Sequence, residues 1–189
     1  MNTPGHYILN LALLGKTIAP KNNTAIAIGA IVPDIPIFIF YFVAKFIYQM
    51  PSGKIWSEAY YKPFWQNLVA LFHSIPLALL GAAICYRLNC QPGIILFISM
   101  VCHSLLDLPV HNDDAHRHFF PLSNYRFISP FSYWDPNHYG RIVAFMEMAL
   151  VIGVNPIVLG LLNSPWTKGI AIAIDIFYLV GYYRFYLAS

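Results

Sequence analysis

Long apolar runs with brief polar interruptions organise this chain. Five stretches, about 24–49, 65–88, 93–110, 141–162 and 166–187, approach or reach the roughly 20 apolar residues that cross a hydrocarbon core. The third is short, which predicts an upright helix or one that ends inside a protein-lined cavity. A sixth stretch, Tyr7 to Pro20, is shorter still and contains Lys16, and predicts a partly inserted or an interfacial helix. The pattern therefore predicts an all-α polytopic membrane bundle, with five spans plus a short N-terminal helix. It reads as one membrane-embedded domain over residues 1–189, without internal repeats.

One long polar segment breaks the pattern, between the third and fourth spans. Residues 111–140 read HNDDAHRHFFPLSNYRFISPFSYWDPNHYG and hold four of the seven histidines and three of the six aspartates. Prolines and aromatics here predict an ordered loop packed on the membrane surface, and loops of this length in compact proteins are usually functional. Tyr133, Trp134 and Tyr139 read as an interfacial aromatic belt.

Composition sharpens the class. Of the 189 residues, 58% are hydrophobic and 10% charged, against about a quarter charged in soluble domains. Disorder and a basic nucleic-acid-binding surface are both excluded. The net charge of +3 is too small to imply an acidic partner, so the partners expected are membrane lipids and a lipid-like substrate. The pattern says nothing of oligomeric state. Cys85, Cys90 and Cys102 lack C-x-x-C spacing and read as free thiols. The first residues lack a basic start and a small-residue cleavage site, so they read as part of the mature chain. With five spans, Lys45, Lys54, Lys62, Arg117, Arg126, Arg141 and Arg184 share the loop face, opposite Lys16, Lys21, Arg87 and Lys168. That asymmetry predicts a cytoplasmic loop.

Ionisable groups inside spans cost several kcal/mol unless paired, neutralised or bound to something. Asp34, His73, His103, Asp107, Glu147 and Asp175 are such groups. Asp34 lies between Pro33 and Pro36, which break a helix and free its carbonyls. His103 and Asp107 are four apart in HSLLD, on one helical face. They suit shared ligation of a divalent cation, or a histidine oriented by its aspartate. The H-x-D-D-x-H-x-H run adds His111, Asp113, Asp114, His116 and His118, a donor set suited to Zn, Mn or Fe. Counting residues from the loop face gathers His6, Asp34, His73, His103, Asp107 and Glu147 in one half of the bundle. Glu147 and Asp175 have no patterned neighbours and lean structural. There is no G-x-S-x-G elbow, phosphate-cradling glycine loop or H-E-x-x-H.

Gly5-His6, Pro33-Asp34, His73-Ser74, the H-x-x-x-D of His103 to Asp107, and Pro130-Phe131-Ser132 follow one another over about two-thirds of the chain. In that order they resemble a bacterial family of membrane-bound metal-dependent hydrolases, part of it described as LexA-binding and inner-membrane. A more distant similarity is to helical zinc-dependent phospholipases C. The resemblance implies His6, Asp34, His73, His103 and Asp107 as metal ligands, and a bacterial inner-membrane location. The family often carries a further histidine five residues before its H-S; here that place is Leu68.

The resulting expectation is a membrane-embedded hydrolase using a divalent metal, zinc first with Mn or Fe as alternatives, on an amphipathic phosphoester. His6, Asp34, His73, His103, Asp107, His111, Asp113 and His118 are the expected ligands. Asp107, Asp114 or His116 is the expected general base, and Arg117 or Arg126 the expected holder of an anionic head group. The rival expectations are an ion-coupled transporter, suggested by Asp34 between its prolines, and a non-enzymatic membrane scaffold.

Overall fold

The computed structural model describes residues 1–16 and 21–188, all helix, turn and loop without a strand among them. Helix α1 (Thr3–Gly15) begins with Pro4 in its first turn, where the missing N–H costs nothing. It is the centre of the bundle rather than an interfacial helix. Ile8, Leu11, His6 and Asn10 are all fully buried, and α1 packs against α2 (Asn23–Ile31), α7 (Gln91–Asp107) and α8 (Gly140–Leu161). Its few polar side chains find partners inside, which corrects the interfacial reading. Asn10 Nδ2 donates to the Ser99 carbonyl and to Ser99 Oγ, each at 2.8 Å, and Ser99 Oγ donates on to the Ile26 carbonyl at 2.7 Å. Residues 17–20, the far end of the predicted Tyr7–Pro20 stretch, lie outside the described residues.

The first long span is bent where its prolines fall. α2 gives way to a 3-10 turn (Val32–Asp34), then α3 (Ile35–Phe42) and a π turn (Val43–Ile47). Together Asn23–Ile47 is long and apolar enough to cross a membrane. A short helical turn, α4 (Ser52–Lys54), runs into a π turn at Ile55–Ala59.

The stretch predicted as one span over 65–88 is two helices, α5 (Pro63–Phe72) and α6 (Ile75–Arg87), bent by 43° at His73 and Ser74. The break is satisfied rather than frayed. Ser74 Oγ caps α6 at Leu77 N and donates to the Phe120 carbonyl, and Ile75 N donates to the His118 carbonyl at 2.8 Å.

Helix α7 continues through a 3-10 turn (Leu108–Val110) and packs against α2 and α6. Its approach to α2 is set by Gly29, where a Cβ would lie 2.2 Å from the Leu96 carbonyl oxygen. Only a small residue allows such contact between membrane helices. α8 and α9 (Pro165–Tyr182) form a hairpin that closes with a π turn at Tyr183–Leu187.

Among the described residues, four helical stretches are long and apolar enough to span a bilayer, and the bent α5–α6 pair makes a fifth if it is counted as one span. On α9, Ile172, Ile176, Phe177, Leu179 and Val180 are each about half exposed. Exposure of side chains of this size to water costs about 1.5–3 kcal/mol each relative to burial, and a lipid surround removes that cost. The chain is a membrane protein.

The 111–140 segment is ordered by main-chain bonds, with a single 3-10 turn at Pro136–His138. Ser129 N donates to the His111 carbonyl, Tyr133 N to that of Val110 and Ser132 N to that of His138. Arg117 Nη2 reaches the Gln66 carbonyl at 2.8 Å and Asn67 Oδ1 at 2.7 Å, while Arg126 Nη2 reaches Gln66 Oε1 at 3.0 Å. These bonds tie the loop down onto α5.

Candidate metal centre

Each polar side chain of the centre is delivered by a break or an end in the helical framework. His6 comes from the first turns of α1, Asp34 from the 3-10 turn between α2 and α3, and His73 from the α5–α6 break. His103 and Asp107 lie on the last turns of α7, and His111, His116 and His118 in the loop that follows. All eight are buried. Two groups emerge, each with ligand atoms within 4.8 Å of one another: His6, Asp34 and His103, and His73, Asp107 and His116.

Hydrogen bonds fix which nitrogen each ring presents. His103 Nδ1 donates to the Ala30 carbonyl at 2.8 Å, and His73 Nδ1 to the Val69 carbonyl at 3.0 Å. A neutral imidazole so bonded turns an unprotonated Nε2 outward, the arrangement that metal-ligating histidines adopt. Both Nε2 atoms are buried without a hydrogen-bond partner, as is His6 Nδ1. The Ala30 carbonyl used by the first of these bonds lies at the end of α2, where the helix gives way to the 3-10 turn at Val32–Asp34.

These nitrogens face carboxylates. His73 Nε2 is 3.5 Å from Asp34 Oδ1 and 3.8 Å from Asp107 Oδ2. His103 Nε2 is 3.6 Å and 3.1 Å from the same two oxygens. Lone pairs aimed at carboxylate oxygens in a low-dielectric interior repel unless a proton or a cation lies among them. The spacing fits a cation: two ligands about 2.0–2.1 Å from one tetrahedral zinc ion lie roughly 3.3 Å apart.

The remaining atoms of the two aspartates are held in place. Asp34 Oδ2 accepts from Thr3 Oγ1 at 2.5 Å. Asp107 Oδ1 lies 2.9 Å from His6 Nε2, 3.2 Å from His111 Nε2 and 2.8 Å from the Met1 nitrogen. His6 also stacks on His103, with ring centroids 3.5 Å apart. His111 Nδ1 is paired with Asp114 Oδ2 at 2.9 Å, and the same oxygen accepts from Trp134 Nε1 at 3.1 Å.

The loop histidines are electrostatically ready to donate lone pairs. Burial, then the neighbouring His73 and His111, holds His116 well below the usual imidazole range. Burial and His73 bring His118 down to about 4. Burial alone would raise the Asp114 carboxyl, but the His111 and Trp134 hydrogen bonds bring it below its usual range.

No protein-family model, curated protein or solved structure matches this chain. The geometry therefore stands by itself. Among the residues picked out from sequence, it gathers His6, Asp34, His73, His103, Asp107 and His116 into the two groups. His111 adjoins Asp107, and His118 lies beside His73, its Nδ1 3.4 Å from the His73 carbonyl. Asp114 contacts His111 and neither group, and Asp113 is exposed at the rim of the adjoining cavity.

Glu147 and Asp175 stand apart. Glu147 Oε1 accepts from Tyr178 Oη at 2.6 Å and from Asn2 N and Nδ2, and Asp175 Oδ2 accepts from Asn155 Nδ2 at 2.7 Å. Arg117 and Arg126 are bonded to α5 and do not line the cavity, so neither is placed to hold a head group there. Thr3 carries no sequence signal beyond its place near His6, and its role in orienting Asp34 is visible only in three dimensions.

A cavity of about 860 Å³ opens beside the centre. Asp34, His111 and His116 form its inner end, and Ile37, Phe38, Trp56, Tyr60, Tyr61, Tyr133 and Trp134 contribute its walls. Tyr133 and Trp134 thus line the cavity. The volume is that of a small-molecule site.

Proposed function

We propose that this protein is a membrane-embedded metal-dependent hydrolase acting on an amphipathic phosphoester. The observation that carries the reading is the set of unpaired, buried imidazole nitrogens facing Asp34 and Asp107 at ligand-to-ligand distances. The donor set is imidazole and carboxylate without thiolate, which suits Zn, Mn or Fe. A divalent ion bound there supplies Lewis acidity toward a phosphoryl oxygen and acidifies water.

The protein's own contributions follow from its bonds. The Ala30 and Val69 carbonyls aim His103 and His73, Thr3 aims Asp34, and Asp114 aims His111. Asp107, a member of the second group, also reaches the first, with one oxygen toward His6 and His111 and the other toward His103 and His73. His116, buried and lining the cavity, faces the substrate side. Apolar α3 residues Ile37 and Phe38 form one wall, which favours a substrate with an acyl or isoprenoid tail. The site lies at the loop-side end of the spans; the Lys/Arg asymmetry supports a cytoplasmic face for that end, and the resemblance noted from the motifs supports a bacterial inner membrane.

The test is hydrolysis of a panel of phospholipids and lipid phosphates by metal-replete protein in maltoside micelles. At least one class is cut, and the activity is abolished by chelator and by Asp107→Asn. A panel left intact by protein shown to contain metal would sink the reading.

A further inference from the structure

The cavity beside the centre has an unusual charge distribution for a site that takes a phosphoester. Neither lysine nor arginine lines it, while Asp113 and Asp114 both do. Asp113 is exposed and makes no hydrogen bond or ion pair among the described residues. Asp114 has one oxygen bonded to His111 and Trp134 and the other buried without a partner. Two carboxylates in the lining repel a purely anionic substrate.

The walls next to these carboxylates are aromatic. Trp56, Tyr61 and Trp134, all in the lining, are 46%, 40% and 46% exposed. Trp56 is fixed from behind, stacked on Tyr41 with centroids 5.8 Å apart and tilted against Tyr60 at 5.7 Å. Tyr61, Asp113 and Asp114 line the same cavity; burial raises the Tyr61 phenol first, the two carboxylates raise it further, and Arg126 lowers it. Indole and phenol faces with adjoining carboxylates form the environment that binds alkylated ammonium ions. A hydrated metal ion, by contrast, would call for converging oxygens rather than ring faces.

We propose that the rim formed by Trp56, Tyr61, Trp134, Asp113 and Asp114 binds an organic ammonium group. The substrate of the reaction proposed above is then zwitterionic, its phosphoester at the His/Asp groups and its amine at the rim. The assignment of the phosphoester end rests on the hydrolase reading; the ammonium site does not.

The experiment separates the two. Choline and its neutral carbon isostere, 3,3-dimethylbutan-1-ol, are titrated calorimetrically into the chelator-stripped full chain in maltoside micelles. Choline binds at least about tenfold more tightly than the isostere. Asp113→Asn and Trp56→Leu, each with unfolding temperature checked against wild type, weaken choline about tenfold. The Asp34→Asn/His103→Ala variant, which removes metal ligands, binds choline as wild type does. Equal affinity for the two probes, no choline binding, or binding indifferent to both rim variants would overturn the proposal. Failure of the hydrolase reading leaves choline binding intact.

Discussion

Four carboxylates are set among the membrane helices, and they fall into two pairs with opposite surroundings. Glu147 and Asp175 each offer an oxygen to neutral donors, Tyr178 and Asn2 in one case and Asn155 in the other. Asp34 and Asp107 each turn an oxygen toward the bare Nε2 atoms of His73 and His103. The first pair ties helices together through these bonds, each acid keeping its second oxygen buried without a partner. The second pair faces imidazole nitrogens instead of amide and phenol donors, an arrangement that could hold a cation. Burial of an acid does not distinguish the two pairs; the identity of the facing atom does.

The contrast breaks most sharply if Asp107 is altered. Asp107→Asn removes charge between both groups and lowers metal affinity by more than about 100-fold, beyond the 10- to 100-fold typical of outer partners. Competition with a fluorescent chelator reads this, and Glu147→Gln in the same assay shows no change. An equal loss in both variants would erase the distinction.

Metal removal gives the next largest effect. Saturation at about 100 times the dissociation constant stabilises a fold by about 2.7 kcal/mol. A chelator therefore lowers the unfolding temperature of wild type and of Asp175→Asn alike, and leaves Asp34→Asn/His103→Ala unmoved. Thr3→Val sharpens the comparison from outside the ligand set. Loss of the bond to Asp34 Oδ2 weakens metal binding by about 10-fold, while apo-protein stability changes little.

The smallest effect belongs to the structural pair. Tyr178→Phe removes a hydrogen bond to a buried acid and costs about 1.5–3 kcal/mol of stability. It leaves metal content at the wild-type level, measured after thermal unfolding has confirmed the fold.

Much of this was legible in the chain. The apolar runs locate the spans, and the i,i+4 pair in HSLLD brings His103 Nε2 within 3.1 Å of Asp107, as helical periodicity requires. The prolines around Asp34 mark the bend. Other features were not legible. Tyr7–Pro20 read as either partly inserted or interfacial, because hydropathy does not reveal that Asn10 has Ser99 as a partner. The span over 65–88 read as continuous because Ser74 and the loop carbonyls that satisfy its break are distant in sequence. Arg117 and Arg126 looked free to hold an anion, yet α5 uses them. Such assignments depend on pairings across dozens of residues, which spacing along the chain does not encode.

Elemental mass spectrometry on detergent-purified protein tests the central claim most directly. Wild type and Glu147→Gln should each carry one or two equivalents of a transition metal, and Asp34→Asn/His103→Ala essentially none. Folded wild-type protein without metal, after growth and purification in metal-supplemented medium, would contradict the account.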